Sequence, residues 1–201
     1  MLYHLLYPLH VEIGFFRVFK YTSFRVFMAI LTAIFIGLVF GGPIIRFLRK
    51  KQGASSTVRE DVPTSHLVKT GTPTMGGILI LITMLVSFLL WARLDLYLTW
   101  ICVATAVGFA FIGLMDDMSK LRKKGGLSIM GKLSLQVFLS VLIGCFLLLA
   151  DADTILTVPF FKNVVISLGL FFVPFVVLVL VASSNAVNLT DGLDGLAIMP
   201  A

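Results

Sequence analysis

The chain has 201 residues, of which 59% are apolar and 13% charged, and its formal net charge is +6. Soluble domains carry about 45–50% apolar and about 25% charged residues, and a chain this short has too much surface to hide the surplus inside a fold. With a mean hydropathy of +1.05 and a pI near 9.6, the composition excludes an ordinary soluble globule and a disordered chain, and it assigns the basic excess to membrane loops rather than to nucleic acid.

Residues 1–22 mix Leu5, Leu6, Leu9, Ile13, Phe15, Phe16 and Phe19 with His4, His10, Glu12, Arg17 and Lys20. That is the pattern of an amphipathic segment lying in the membrane interface. Uncharged runs at 26–45, 70–92, 96–115, 133–150 and 163–190 then place spans at about 24–45, 72–92, 96–115, 133–150 and 164–184. No signal-peptide cleavage site follows the first run, so it reads as an anchor. About twenty residues at 1.5 Å each cover about 30 Å, one hydrocarbon core. The reading is an all-α polytopic transmembrane helix bundle, one integral membrane domain over 1–201, with five spans and a sixth starting near Gly195. Cys102 and Cys145 fall inside the runs and read as helix packing. Tyr21, Trp91, Tyr97 and Trp100 fall near span ends and read as interfacial aromatics.

Five spans divide the polar segments between two faces. One face carries Arg17, Lys20, Arg25, Arg93 and Lys162. The other carries Arg46, Arg49, Lys50, Lys51, Arg59, Lys69, Lys120, Arg122, Lys123, Lys124 and Lys132. The richer side is predicted to be cytoplasmic, which places the N-terminus outside. Segments 46–71, 116–132 and 185–194 become the cytoplasmic loops. Every unusual polar motif of the chain lies in them.

The first motif, Lys69-Thr70-Gly71-Thr72-Pro73-Thr74-Met75-Gly76-Gly77, leads into the second span. Glycines let backbone amides approach a ligand, Thr72 and Thr74 can cap a helix, and a helix N-terminus attracts phosphate. A simple loop-to-helix cap is the plainer reading. The second is Asp116-Asp117, followed by Lys120. Two adjacent carboxylates at a membrane boundary repel each other and call for a cation or a proton. Magnesium fits, with substrate phosphates and water completing its shell. Lys120 follows at helical spacing and could meet a phosphate. The third runs from Asn185 to Ala197, with Asn185 and Asn188, and Asp191 and Asp194, each three apart. Thr190 and Asp191 read as N-caps of a helix starting there. The fourth is the basic run from Lys120 to Lys124, with Lys132. Loop sidedness explains it, and attraction of anionic headgroups or a phosphorylated ligand is the alternative. The whole set suits magnesium-assisted handling of a phosphorylated ligand beside a lipid.

Three strings, KTGTPTMGG (69–77), GLMDDMSK (113–120) and NAVNLTDGLDGLAIMP (185–200), resemble the phospho-N-acetylmuramoyl-pentapeptide-transferase family of the polyprenyl-phosphate N-acetylhexosamine-1-phosphate transferases. The resemblance covers essentially the whole chain, as the N-terminal part of a longer family fold. It implies a magnesium-dependent enzyme of the bacterial inner membrane, with its active site facing the cytoplasm. UDP-N-acetylmuramoyl-pentapeptide would give its phospho-sugar to undecaprenyl phosphate, yielding lipid I and UMP in peptidoglycan synthesis. It further implies Asp116 and Asp117 as the catalytic pair, with Asp116 as the base or orienting group for the lipid phosphate and Asp117 as the magnesium or diphosphate partner. Lys69, Thr74, Asn188, Asp191 and Asp194 become the nucleotide pocket, and Lys120 and Lys132 contacts to phosphate or uridine. Direct attack by the lipid phosphate and a two-step path through an aspartyl-phosphate both suit these residues. A homodimer is a further expectation. The family continues beyond Ala201 with a further magnesium ligand, so the 201-residue chain is expected to be inactive alone.

Two rivals share part of this pattern. A sister transferase would move GlcNAc-1-phosphate onto the same lipid; the GTPTMGG and NAVNLTDGLDGLA strings favour the muramoyl branch. A transporter of an anionic ligand would place polar residues near mid-membrane, whereas here the span centres are almost uncharged.

Overall fold

The computed structural model describes residues 1–52, 76–123, 126–157 and 165–190. They fall into two compact units, Met1–Gly126 and Leu127–Ala201.

In the first unit, a short helix α1 (Leu2–Leu6) runs into 3-10 turns at Tyr7–Val11 and Gly14–Lys20. Three longer helices follow, α2 (Thr22–Gln52), α3 (Gly77–Trp91) and α4 (Tyr97–Lys123). α2 packs on α3, and α3 touches α4. Leu5, Leu9, Val11, Ile13 and Phe15 of the N-terminal segment are exposed. Its aromatic side pairs Tyr3 with Tyr7 and Tyr7 with His10 in stacked rings.

In the second unit, α5 (Ile129–Leu149) leads to a small antiparallel hairpin, β1 (Ile155–Thr157) and β2 (Val165–Ser167), and then to α6 (Phe172–Thr190). Ile155 pairs with Ser167 and Thr157 with Val165. α5 and α6 pack directly on each other. Gly144 makes the approach close: a Cβ there would lie 3.2 Å from Val173 Cγ1 and 3.3 Å from Val173 Cα.

Both units are turned out toward lipid. Four helical stretches have bilayer length and apolar character: Thr22–Phe47, Tyr97–Ser119, Ile129–Leu149 and Gly169–Val187. At most 17% of the residues in each apolar window are buried. Such a surface is stable only where hydrocarbon replaces water, and the helix alone satisfies its own backbone there. Side-chain hydroxyls follow the same rule. Thr32, Thr83, Thr105, Ser140 and Ser183 each donate to the carbonyl four residues earlier.

The all-α bundle stands, with corrections to its elements. Among the described residues four helices reach bilayer length, and α3 is a shorter apolar helix. α3, from Gly77 to Trp91, measures about 22 Å at 1.5 Å per residue, and residues 72–75 of the expected span lie outside the described residues. The sixth span, from Gly195, lies outside the described residues. The expected span at 164–184 starts late. Gly169, at φ +50, turns the chain after β2, so the helix begins at Phe172. Pro174 sits in its first turn, where no intrahelical N–H is lost. Both cysteines are exposed rather than packed between helices, a position where a weakly polar thiol meets lipid at little cost. Trp91 is buried, not interfacial: its indole stacks on Phe19 at 5.9 Å, and its Nε1–H donates to Thr32 Oγ1 at 2.9 Å. Trp100 is the exposed one, donating to the Leu94 carbonyl.

Candidate functional site

The aspartate pair lies within α4, not in a loop after it. The helix runs on to Lys123, so Lys120 is four residues from Asp116 and three from Asp117 on one continuous helix. That spacing makes the three positions neighbours along the helix surface. Asp116 is buried, at 7% exposure, while Asp117 is half-buried. Successive residues are rotated by about 100° around a helix, so the two carboxylates leave it in different directions and meet different surroundings. A carboxylate as buried as Asp116 is costly without compensation, and neither group lacks an interaction partner.

Lys132 stands in the second unit, in the first turns of α5. Ser128 caps that helix, its Oγ accepting from Gly131 N–H at 3.1 Å. The cap satisfies one of the backbone donors a helix start leaves open. One turn beyond Lys132 is Gln136, which is 2% exposed. Its Nε2 donates to Ser184 Oγ at 3.2 Å, and its Oε1 accepts from Asn185 Nδ2 at 2.8 Å. Asn185 Nδ2 also donates to the Val181 carbonyl at 2.8 Å. The first residue of the asparagine-aspartate motif is thus bonded to the neighbouring helix.

Asn185, Asn188 and Thr190 all lie on α6, and the helix expected to start at Thr190 and Asp191 lies outside the described residues. Ser, Asn and Val are compatible with helix, so the backbone ladder of the span carries into the motif. Lys69, Thr72, Thr74, Asp191 and Asp194 lie outside the described residues. The structure therefore groups Asp116, Asp117 and Lys120 on α4, and Lys132, Gln136 and Asn185 on the α5–α6 pair.

Gln136 was missed in the sequence reading. The signal was present: it is a lone amide in the apolar run 133–150. A side-chain amide in hydrocarbon needs a partner. Among the described residues, no three His, Cys, Asp or Glu side chains converge as a metal cage. Asp116 and Asp117 instead offer hard carboxylate oxygens, which fit magnesium as a partial ligand set completed by phosphate and water.

Apolar helices turned out to lipid, with carboxylates, amides and lysines near helix ends, define a multi-pass α-helical membrane protein with polar chemistry near its helix ends. The family model described as Glycosyl transferase family 4 matches residues 98–201, and signature 1 of phospho-N-acetylmuramoyl-pentapeptide-transferase matches residues 69–81. Curated proteins named phospho-N-acetylmuramoyl-pentapeptide-transferase are similar over the whole chain. The one from Geobacter sp. (strain M21) is 48% identical, and those from Citrifermentans bemidjiense and Desulfotalea psychrophila are each 47% identical. In each case the match covers 100% of this chain and 56% of the relative, so the chain spans about half the length of the curated relatives it matches. The chain belongs to glycosyl transferase family 4, and its similarity runs to the proteins named phospho-N-acetylmuramoyl-pentapeptide-transferase.

Proposed function

We propose that this chain carries the acceptor-side and part of the donor-side machinery of a transferase. The enzyme moves phospho-N-acetylmuramoyl-pentapeptide from its UDP donor to undecaprenyl phosphate at the cytoplasmic face of the bacterial inner membrane. The carrying observation is Asp116, a carboxylate buried to 7% exposure beside Asp117 near the end of an apolar helix, inside the region that matches the family. The concentration of basic residues in segments 46–69 and 116–132 supports a cytoplasmic site.

An oxygen of undecaprenyl phosphate attacks the donor's β-phosphorus. The bond from that phosphorus to the bridging oxygen breaks, and UMP leaves with the electron pair. The lipid phosphate is already an oxyanion, so the protein's work is to bring two polyanions together and offset their charge. Asp116 orients the lipid phosphate. Lys120 and Lys132 meet phosphate oxygens, and Lys69, Thr74, Asn188, Asp191 and Asp194 receive the nucleotide. Asp117 is the residue that would hold magnesium, which when bound supplies charge neutralisation at the diphosphate.

The test is transfer from the UDP donor to undecaprenyl phosphate, with and without magnesium, by this chain and by a form extended to family length. Asp116→Asn and Asp117→Asn should each lower kcat at least a hundredfold in whichever form transfers, the size of effect seen when a transition-state electrostatic partner is removed. Full activity of both variants would sink the site assignment. Use of UDP-GlcNAc in preference to the muramoyl donor would move the protein to the sister branch.

A further inference from the structure

We infer that Gln136 is a positioning residue for the donor pocket, acting through Asn185; the inference rests on the function proposed above. Gln136 is 2% exposed on a helix whose surroundings are hydrocarbon. Its amide is used at both ends across the helix pair, donating to Ser184 at 3.2 Å and accepting from Asn185 at 2.8 Å. Two bonds from one planar group to adjacent residues fix rotation as well as separation. A single bond would leave α6 free to turn about it.

The surroundings make the fix rigid. Ser140, one turn further along α5, is fully buried, and its hydroxyl donates back to the Gln136 carbonyl at 2.7 Å. Two turns beyond Gln136, Gly144 brings Val173 of α6 within 3.3 Å of where a Cβ would stand. The helix pair is therefore pinned at two levels, by close packing at Gly144 and by the amide at Gln136. From the Gln136 level both helices continue toward the proposed site. Lys132 lies four residues before Gln136, on the same face of α5. Asn188 lies three residues after Asn185 on α6, and the 191–194 aspartates follow. A change at Gln136 alters how these groups are presented without removing any group that touches substrate.

The experiment has two arms, both on membrane-reconstituted protein. Hydrogen–deuterium exchange is followed in peptides covering 183–190 and 141–149, in wild type, Gln136→Leu, Gln136→Asn and the swap Gln136→Asn/Asn185→Gln. The leucine is nearly isosteric and cannot hydrogen-bond; the swap restores the summed reach of the two amides. Exchange at 183–190 should rise about tenfold in Gln136→Leu while 141–149 stays unchanged, and the swap should exchange more slowly than Gln136→Asn alone. In the second arm, on whichever form transfers, Gln136→Leu should raise the donor KM about tenfold, equivalent to 1.4 kcal/mol, with kcat within twofold. Unchanged exchange at 183–190 overturns the inference. So does faster exchange with an unchanged KM, or loss of protection in both peptides with no rescue by the swap. A wild-type protein that transfers nothing strikes the proposed function instead, and the exchange arm then decides the clamp alone.

Discussion

Replacing Gly144 tests the contact that holds α5 against α6. An alanine Cβ would stand 3.2 Å from Val173 Cγ1 and 3.3 Å from Val173 Cα. Carbon atoms rest at about 3.5–4.0 Å, so the helices must part by a few tenths of an ångström. Val173 Cα belongs to the backbone and cannot rotate away, so the whole helix has to move. Overpacking of this kind costs about 1–3 kcal/mol. Against it stands the gain from replacing a helical glycine by alanine, about 1 kcal/mol. The gain offsets part of the cost for Gly144→Ala, which should be destabilised by about 0–2 kcal/mol. Gly144→Leu has the same propensity gain and three more carbons to place, so its net cost should reach at least about 2 kcal/mol. The check is reversible unfolding of both variants in mixed micelles with rising SDS fraction, followed by far-ultraviolet circular dichroism. A leucine variant as stable as wild type would refute close packing at this level, because no space for the side chain would then have been lacking.

Thr32→Val is nearly isosteric and removes the acceptor of the Trp91 indole N–H. An unmet buried donor costs about 1–3 kcal/mol, read as a lowered unfolding midpoint and a changed tryptophan emission. Ser128→Ala should destabilise the start of α5 by about 1 kcal/mol, with faster amide exchange confined to residues 129–132, because the lost bond is the cap to Gly131. The Asp95 carboxyl is held below its ordinary value of 3.8, chiefly by its hydrogen bond with Arg93. A depressed folded-state value means that the stabilisation is present above pH 3.8 and is lost as pH falls through the lower folded-state value. Asp95 also meets His4 at 3.3 Å, so proteolysis within residues 1–20 should quicken below that pH, and Asp95→Asn should abolish the pH dependence.

The helical architecture was legible because hydrocarbon imposes one simple rule on composition: long uncharged runs must be helical. Where the reading slipped, the cause was local. Hydropathy treats 164–184 as uniform and cannot see Gly169, whose positive φ separates a strand from a helix. It places loop boundaries at the first charges, yet α4 runs through Asp116 and Asp117 to Lys123 because nothing in Met118, Ser119 or Lys120 opposes a helix. Trp91 was read as an interfacial anchor from its position in the run. Its burial depends on Phe19, Phe24 and Thr32, which are distant in sequence. The candidate site was legible in its titratable groups, since carboxylates and lysines stand out against an apolar background. Gln136 was not, because an uncharged amide barely interrupts a hydrophobic run.

The pattern of polar bonding bears on which kind of protein this is. Several hydroxyls along the spans donate back to their own helices: Thr83 to Leu79, Thr105 to Ile101 and Ser183 to Val179. A hydroxyl bonded back in this way has spent its proton and keeps only its acceptor capacity. The amides behave differently. Gln136 and Asn185 bond between helices, and they do so where α6 runs into its asparagine-aspartate motif. A conduction path would need polar groups facing a cavity at mid-span, at the breaks of discontinuous helices. Here α4 and α5 are continuous through their apolar stretches, and the carboxylates of α4 come in its last two turns. The Gln136–Asn185 bond is thus placed where it stiffens the approach to a motif at a helix end. That arrangement supports the function proposed above, in which the chemistry is done near helix ends.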